Sequence, residues 1–145
     1  MDENITEQIY QVFNVAKPNI NTYSPLTLAY IGDGIFDLVI RTLVVCEGNA
    51  PVNTLHGHTS HIVKASTQAS LAEAIEGELD EEEERVMRRG RNAKSHTVAK
   101  NASVHDYRMA TGFEALLGFL YLKGETDRML CLIQKGLEKV GKDKG

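Results

Sequence analysis

Two acidic residues stand where acids are expensive. Asp33 lies in LAYIGDGIFDLVIRTLVV, between two glycines and among apolar residues. Glu114 lies in YRMATGFEALLGFLYLKG, with Gly112, Ala115 and Gly118 beside it at three-residue steps. Burying one bare carboxylate costs several kcal/mol. Two that face each other repel unless a proton or a cation lies between them. Small residues let helices approach closely, so Gly32 and Gly34 on one helix and the Gly112–Ala115–Gly118 row on the other would bring Asp33 and Glu114 together. Such a pair suits a hard divalent cation such as Mg²⁺, with water filling the remaining positions. The opposing reading is that each acid faces solvent or pairs with Arg41 or Arg108. Asp37, one turn after Asp33, shares roughly its face and reads as a solvated acid at the rim.

The elements that must carry these residues are helices. ITEQIYQVFNVAK spaces Ile5, Ile9, Val12 and Phe13 with helical period, and Pro18 stops it. Ser24 followed by Pro25 is a helix start. The helix it opens runs to about Val45 and is apolar nearly all round, which predicts burial within the domain or at an interface. Gly48 and Pro51 break the chain. Residues 52–77 read as one long or two shorter helices. Asp80 with Glu83 forms a capping-box pattern, with Glu81 and Glu82 at the positive end of the dipole. That helix ends near Gly90. Residues 92–106 lack period and read as a long loop. The Glu114 helix follows, from Tyr107 to its stop at Gly124. Asp127–Val140 forms the last helix, with Leu130, Ile133, Leu137 and Val140 on one face. No run alternates with period two, so the class is all-α. The chain divides into an N-terminal helix with its connection (1–23), a core domain (24–140) and a frayed tail (141–145), one domain overall.

With 145 residues, 42% hydrophobic and 25% charged, the chain has the balance of a folded globular domain. The acidic start MDENITEQIY is not a signal peptide, and no apolar run reaches spanning length. These features point to the cytoplasm and exclude a membrane partner. Cys46 and Cys131 sit among apolar residues and read as free buried thiols. The net charge is −4, yet Arg85–Lys100 holds six cations and no acid, leaving −10 for the rest of the chain. Positive charge concentrated in an acidic protein points to a polyanionic partner. A solvated face is the bland alternative.

The residues carry a resemblance. LAYIGDGIF resembles the first signature of the ribonuclease III family and GFEALLGFLYL resembles the second. With RRGRNAKSHTVAKN between them, and no further domain after the last helix, the chain is similar over roughly residues 24–140 to the Mini-ribonuclease III subfamily, the endonuclease domain without a double-stranded-RNA-binding domain. The resemblance implies a ribonuclease III-like helical fold and a homodimer in which each subunit cuts one strand. It implies Mg²⁺-dependent hydrolysis of double-stranded RNA to 5′-phosphate and 3′-hydroxyl ends, and maturation of the ribosomal RNA precursor at the ends of 23S RNA. Asp33 and Glu114 take the catalytic, metal-holding positions. The family's first signature has a metal-binding Glu where this chain has Ala29, and its second has an Asp where this chain has Thr111. More of the metal's shell must then be water or phosphate. Tyr30 falls at the family's aromatic dimer contact; by itself it would read as a core tyrosine. Arg88, Arg89, Arg91, Lys94 and Lys100 are the expected RNA-binding residues.

Weaker signals remain. His56, His58 and His61 match no zinc spacing and read as surface or RNA-facing residues. Lys64 and Gln68 could touch phosphate or be solvated helix positions. The run DEEEE reads as a capped helix start. The competing function is a non-catalytic dimeric RNA-binding or assembly module, suggested by the carboxylates missing at Ala29 and Thr111.

Overall fold

The computed structural model describes residues 4–93 and 103–144, and every regular element among them is helical. The seven α-helices are α1 (Ile5–Val12), α2 (Pro25–Glu47), α3 (Val52–Val63), α4 (Ala65–Ile75), α5 (Glu81–Asn92), α6 (Val104–Lys123) and α7 (Thr126–Lys144), with short 3₁₀ turns at Ile20–Thr22 and Glu76–Glu78. The all-α expectation holds. Residues 52–77 resolve into two helices, because Lys64 is extended and interrupts the ladder.

Local chemistry fixes the ends. The Ser24 side chain accepts a hydrogen bond from the Thr27 N–H at 3.2 Å, with Pro25 at the first helical position. The box at Asp80 and Glu83 closes from both sides, at 2.8 Å and 3.0 Å. Gly124 adopts φ +83°, the left-handed conformation that ends α6 and favours glycine. The start of α6 differs from the sequence reading. Ser103 caps it by accepting from the Asp106 N–H at 3.0 Å, so the helix begins three residues before Tyr107.

Helix α6 is the central element. It packs against α2, α4, α5 and α7. From Met109 to Tyr121 every residue is buried except Glu114. Phe113 meets Phe36 of α2 edge to face, with ring centroids 5.3 Å apart. Leu71 and Ile75 of α4, Met87 of α5 and Leu132 of α7 complete the core. The inner face of α7 holds Met129, Leu132, Ile133 and Gly136, with Leu137 and Val140 packed against the core as expected; of the expected face only Leu130 is exposed. Residues 141–144, expected as a frayed tail, continue the helix.

Backbones touch where α2 crosses α6. A Cβ at Gly32 would overlap the carbonyl oxygen of Glu114 and lie 2.9 Å from the Gly118 nitrogen. A Cβ at Gly118 would overlap the carbonyl oxygen of Leu28. Gly112 serves another neighbour: its Cβ would lie 2.7 Å from the Met87 carbonyl oxygen of α5. Gly34 faces open space and plays no part in this crossing.

Two further expectations are corrected. The apolar residues of α1 point outward: Ile5, Ile9, Val12 and Phe13 are exposed, while Thr6 is buried. Polar bonds hold this helix, since Asn4 Nδ2 donates to the Gly124 carbonyl at 2.8 Å and the Tyr10 hydroxyl donates to the Leu122 carbonyl at 3.0 Å. The C-terminal end of α6 has carbonyls without helical partners, and α1 supplies donors to them. Cys46 is exposed near the end of α2 and Cys131 is half-buried, so neither is the fully buried thiol expected.

Replacing Gly32 or Gly118 by Ala should each lower stability by about 3 kcal/mol, since backbone must move to make room. Gly57→Ala, at an open position within α3, should raise it by roughly 0.5–1 kcal/mol through helix propensity. Urea unfolding of the three variants checks this. Equal effects at all three would mean the crossing is looser than described.

Candidate active site

The contact between α2 and α6 puts Asp33 beside Glu114. Their carboxyl groups share a hydrogen bond, which requires a proton on one of them. Burial, followed by the bond to Asp33 and its charge, pushes the Glu114 carboxyl up to about 8. Asp33 is exposed and Glu114 half-buried, so the pair opens outward from the core. Among the described residues no cation pairs with either acid: Arg41 is engaged by Asp37 at 2.6 Å. The alternative in which Arg41 neutralises Asp33 is thereby excluded, and Asp37 is a half-buried acid with a partner of its own.

Gln68 of α4 completes the cluster. Its side chain is buried at 2% exposure, and its Nε2 donates to the Val63 carbonyl at 2.7 Å and to Glu114 Oε2 at 3.3 Å. Its Oε1 has no hydrogen-bond partner. The sequence offered Gln68 as a possible phosphate contact or a solvated helix position, and its burial overturns the second. The available signal was a glutamine placed one residue before the buried row Ala69, Leu71, Ala72 and Ile75. Ala29 and Thr111 are both buried, and the Thr111 hydroxyl donates to the Tyr107 carbonyl at 2.9 Å within its own helix. That hydroxyl is a helix back-bond and not a stand-in for a carboxylate.

The donor set fits a hard divalent cation. It offers two carboxylates whose repulsion is relieved here only by a shared proton. No group of three or more His, Cys, Asp or Glu residues that could hold a metal exists among the described residues. Most ligands of such an ion would then be water or phosphate. The same fact leaves His56, His58 and His61, all exposed, without a zinc site.

The basic segment begins on α5. Arg85 and Arg89 are exposed and have no acidic partner among the described residues. Arg88 is paired with Glu84 and Arg91 with Glu76, at 3.3 Å and 3.2 Å. The stem of Arg91 also packs where α5 meets Gly112 of α6. Lys94 and Lys100 lie outside the described residues. Tyr30 is 82% exposed, which removes the reading of it as a core tyrosine.

Comparison with known proteins defines the class of protein: the chain belongs to the ribonuclease III family of endoribonucleases. The model of the ribonuclease III domain matches residues 26–125. Within the family the chain falls in the Mini-ribonuclease III subfamily. It is 46% identical over 126 residues to the Mini-ribonuclease 3 of Thermoanaerobacter sp. (strain X514), covering 87% of this chain and 89% of that protein. It is 51% identical over 118 residues to the Mini-ribonuclease 3 of Enterococcus faecalis, covering 80% and 89%. A crystal structure of a Fusobacterium nucleatum protein superposes with a TM-score of 0.75 at 30% identity, covering 83% of this chain and 97% of that one.

The Glu114 shift has a consequence for stability. The unfolded chain releases this proton near the ordinary glutamate value of 4.5, and the folded chain keeps it to about 8. Between those values the native state holds the extra proton, so metal-free stability must fall as pH rises. Glu114→Gln should remove that slope and raise the melting temperature at pH 8 in EDTA. Melting curves from pH 5 to 8 test this, and parallel profiles for the two proteins would contradict it.

Proposed function

We propose that the protein is a Mg²⁺-dependent homodimeric endoribonuclease that hydrolyses double-stranded RNA to 5′-phosphate and 3′-hydroxyl ends, with a ribosomal RNA precursor as its substrate, 23S RNA in particular. The observation that carries the reading is the Asp33–Glu114 pair, two acids brought together with no cation among the described residues paired to either. When bound, a hard divalent cation supplies Lewis-acid polarisation of the scissile phosphate and an activated water. Asp33 and Glu114 would hold the cation, both as ionised carboxylates. With alanine and threonine at positions 29 and 111, the substrate phosphate takes a larger share of the binding.

An A-form duplex is read by shape, phosphate and 2′-hydroxyl contacts, because its deep, narrow major groove hides the base edges. Arg85–Lys100 is the concentrated source of cations for that task. Arg85 and Arg89 are the two on α5 with no acidic partner among the described residues. Arg88 can leave Glu84 at little cost, since exposed pairs contribute roughly 0–1 kcal/mol. Arg91, partly committed to packing, contributes less.

Two subunits meet through the outer side of α2 in this reading. Leu26, Tyr30, Leu38 and Val45 are exposed there. Gly34 is open as well, and a mid-helix glycine sacrifices roughly 1 kcal/mol relative to alanine with no return inside one subunit. Approach by a partner chain accounts for it. Tyr30→Asp should therefore give monomers in sedimentation velocity at micromolar concentration, where the unaltered protein gives dimers. An unaltered protein that sediments as a monomer would overturn this part.

The activity is tested with duplex RNA, single-stranded RNA and duplex DNA, each with Mg²⁺ or EDTA. Cleavage of duplex RNA alone, and only with Mg²⁺, is expected. Asp33→Asn and Glu114→Gln should each lower the rate at least about 100-fold, by removing a charge that holds the ion, while keeping RNA binding. In the Asp33→Asn background, Arg88→Ala with Arg89→Ala should weaken duplex binding and flatten its log–log salt slope by roughly 0.7–0.9 for each phosphate no longer neutralised. Duplex binding without cleavage by the unaltered protein would favour the non-catalytic module instead.

A further inference from the structure

We propose that Gln68 is a positioning residue of the active site, which holds the Glu114 carboxylate in place for the cation. The inference rests on the metal-dependent reading above. A buried side chain of this size fills space, and leucine or methionine would fill it without desolvating an amide. The protein instead keeps an amide with one atom unsatisfied, and an orphaned buried polar atom costs about 1–3 kcal/mol. The return lies at the other end of the amide. Nε2 is tied to the Val63 carbonyl at 2.7 Å, at the break between α3 and α4, so it is a donor of fixed direction. Its second bond, at 3.3 Å, reaches Glu114 Oε2.

The choice of an amide follows from what Glu114 must do. An amine in this place would neutralise the carboxylate and compete with an incoming cation. A carboxylate would add repulsion to a site that already holds two acids. An N–H donor stabilises the carboxylate form of Glu114 without introducing charge. The unsatisfied Oε1 is on the same amide, one atom from the donor, where water accompanying a cation is the available hydrogen source. With two carboxylates fewer than the family's signatures carry, ordering the remaining one matters more. Partners of this kind typically change metal affinity by about 10–100-fold.

The test uses Gln68→Leu and Gln68→Met in the full-length protein. Mn²⁺ binding is measured by titration calorimetry without RNA, and the half-saturating Mg²⁺ concentration is measured in duplex cleavage. Expected are an approximately 10–100-fold weaker Mn²⁺ affinity, a matching rise in half-saturating Mg²⁺, and recovery of much of the cleavage rate at high Mg²⁺. The melting temperature in EDTA should change little, because loss of the bond to the Val63 carbonyl is offset by removal of an orphaned oxygen. A purely structural glutamine would lower that temperature and leave the metal dependence unchanged, which overturns the proposal. Methionine, closest to glutamine in shape, keeps the comparison if the leucine variant folds poorly. If the unaltered protein itself neither binds Mn²⁺ nor cleaves with Mg²⁺, the metal-dependent reading fails. If it does both and the variants match it, only the role of Gln68 fails.

Discussion

The carbonyl oxygen of Glu114 occupies the space that any side chain at position 32 would need, and the carbonyl oxygen of Leu28 does the same at position 118. These reciprocal contacts set the distance between α2 and α6, and the rest follows from that distance. Side chains elsewhere along the crossing close over Phe36 and Phe113. The two carboxyl groups meet because the glycines bring their backbones within contact, one residue from each acid in the first helix and within the same turn in the second. Backbone atoms cannot choose another rotamer. The site therefore inherits a geometry stiffer than side-chain packing alone provides.

The remaining elements hold this crossing at its edges. Arg128 of α7 reaches Glu83 with Nε and Nη2, both at 2.8 Å, and also donates to the Glu78 carbonyl at 2.7 Å. The bond to Arg128 holds the Glu83 carboxyl below the usual carboxylate range. One glutamate thus closes the cap of α5 and ties that helix to α7. Removing one partner of a buried pair costs about 3–5 kcal/mol, because the other charge is left without compensation. The energetic contrast with the active site is direct. At Glu83 a buried acid is matched by a cation of the protein's own, whereas among the described residues Glu114 has only the Asp33 carboxyl and the Gln68 amide beside it.

The sequence made the helical class legible through capping residues at Ser24 and Asp80, through the stop at Gly124, and through the absence of alternating runs. It also made the site legible, since an acid flanked by small residues in an apolar helix has few explanations and this chain has two. What stayed hidden was set by neighbours distant in sequence. The spacing of Ile5, Ile9, Val12 and Phe13 selects a helix but not its orientation, which polar bonds to the end of α6 decide. Gly34 looks like Gly32 in the sequence, and only the path of α6 separates them. Gln68 could not be placed at Glu114 without knowing that α4 and α6 cross there. The charge cluster was visible, but the pairing of Arg88 and Arg91 with acids upstream was not.

The close approach of Gly90 to Gly112, where a Cβ on the former would lie 2.8 Å from the Cα of the latter, pins the end of α5 against α6. Ser103 fixes the other end of the connection by capping α6 itself. The chain between Ala93 and Ser103 is thus a tether between two anchors on the same pair of helices. Its contour is at most about 36 Å. Closing a longer tether costs little, roughly 0.6 kcal/mol for a doubling of length. The two helices are held by their own contact, so the length of the connection can change without asking them to slide. A change of length at this connection leaves the crossing that holds the two acids as it is.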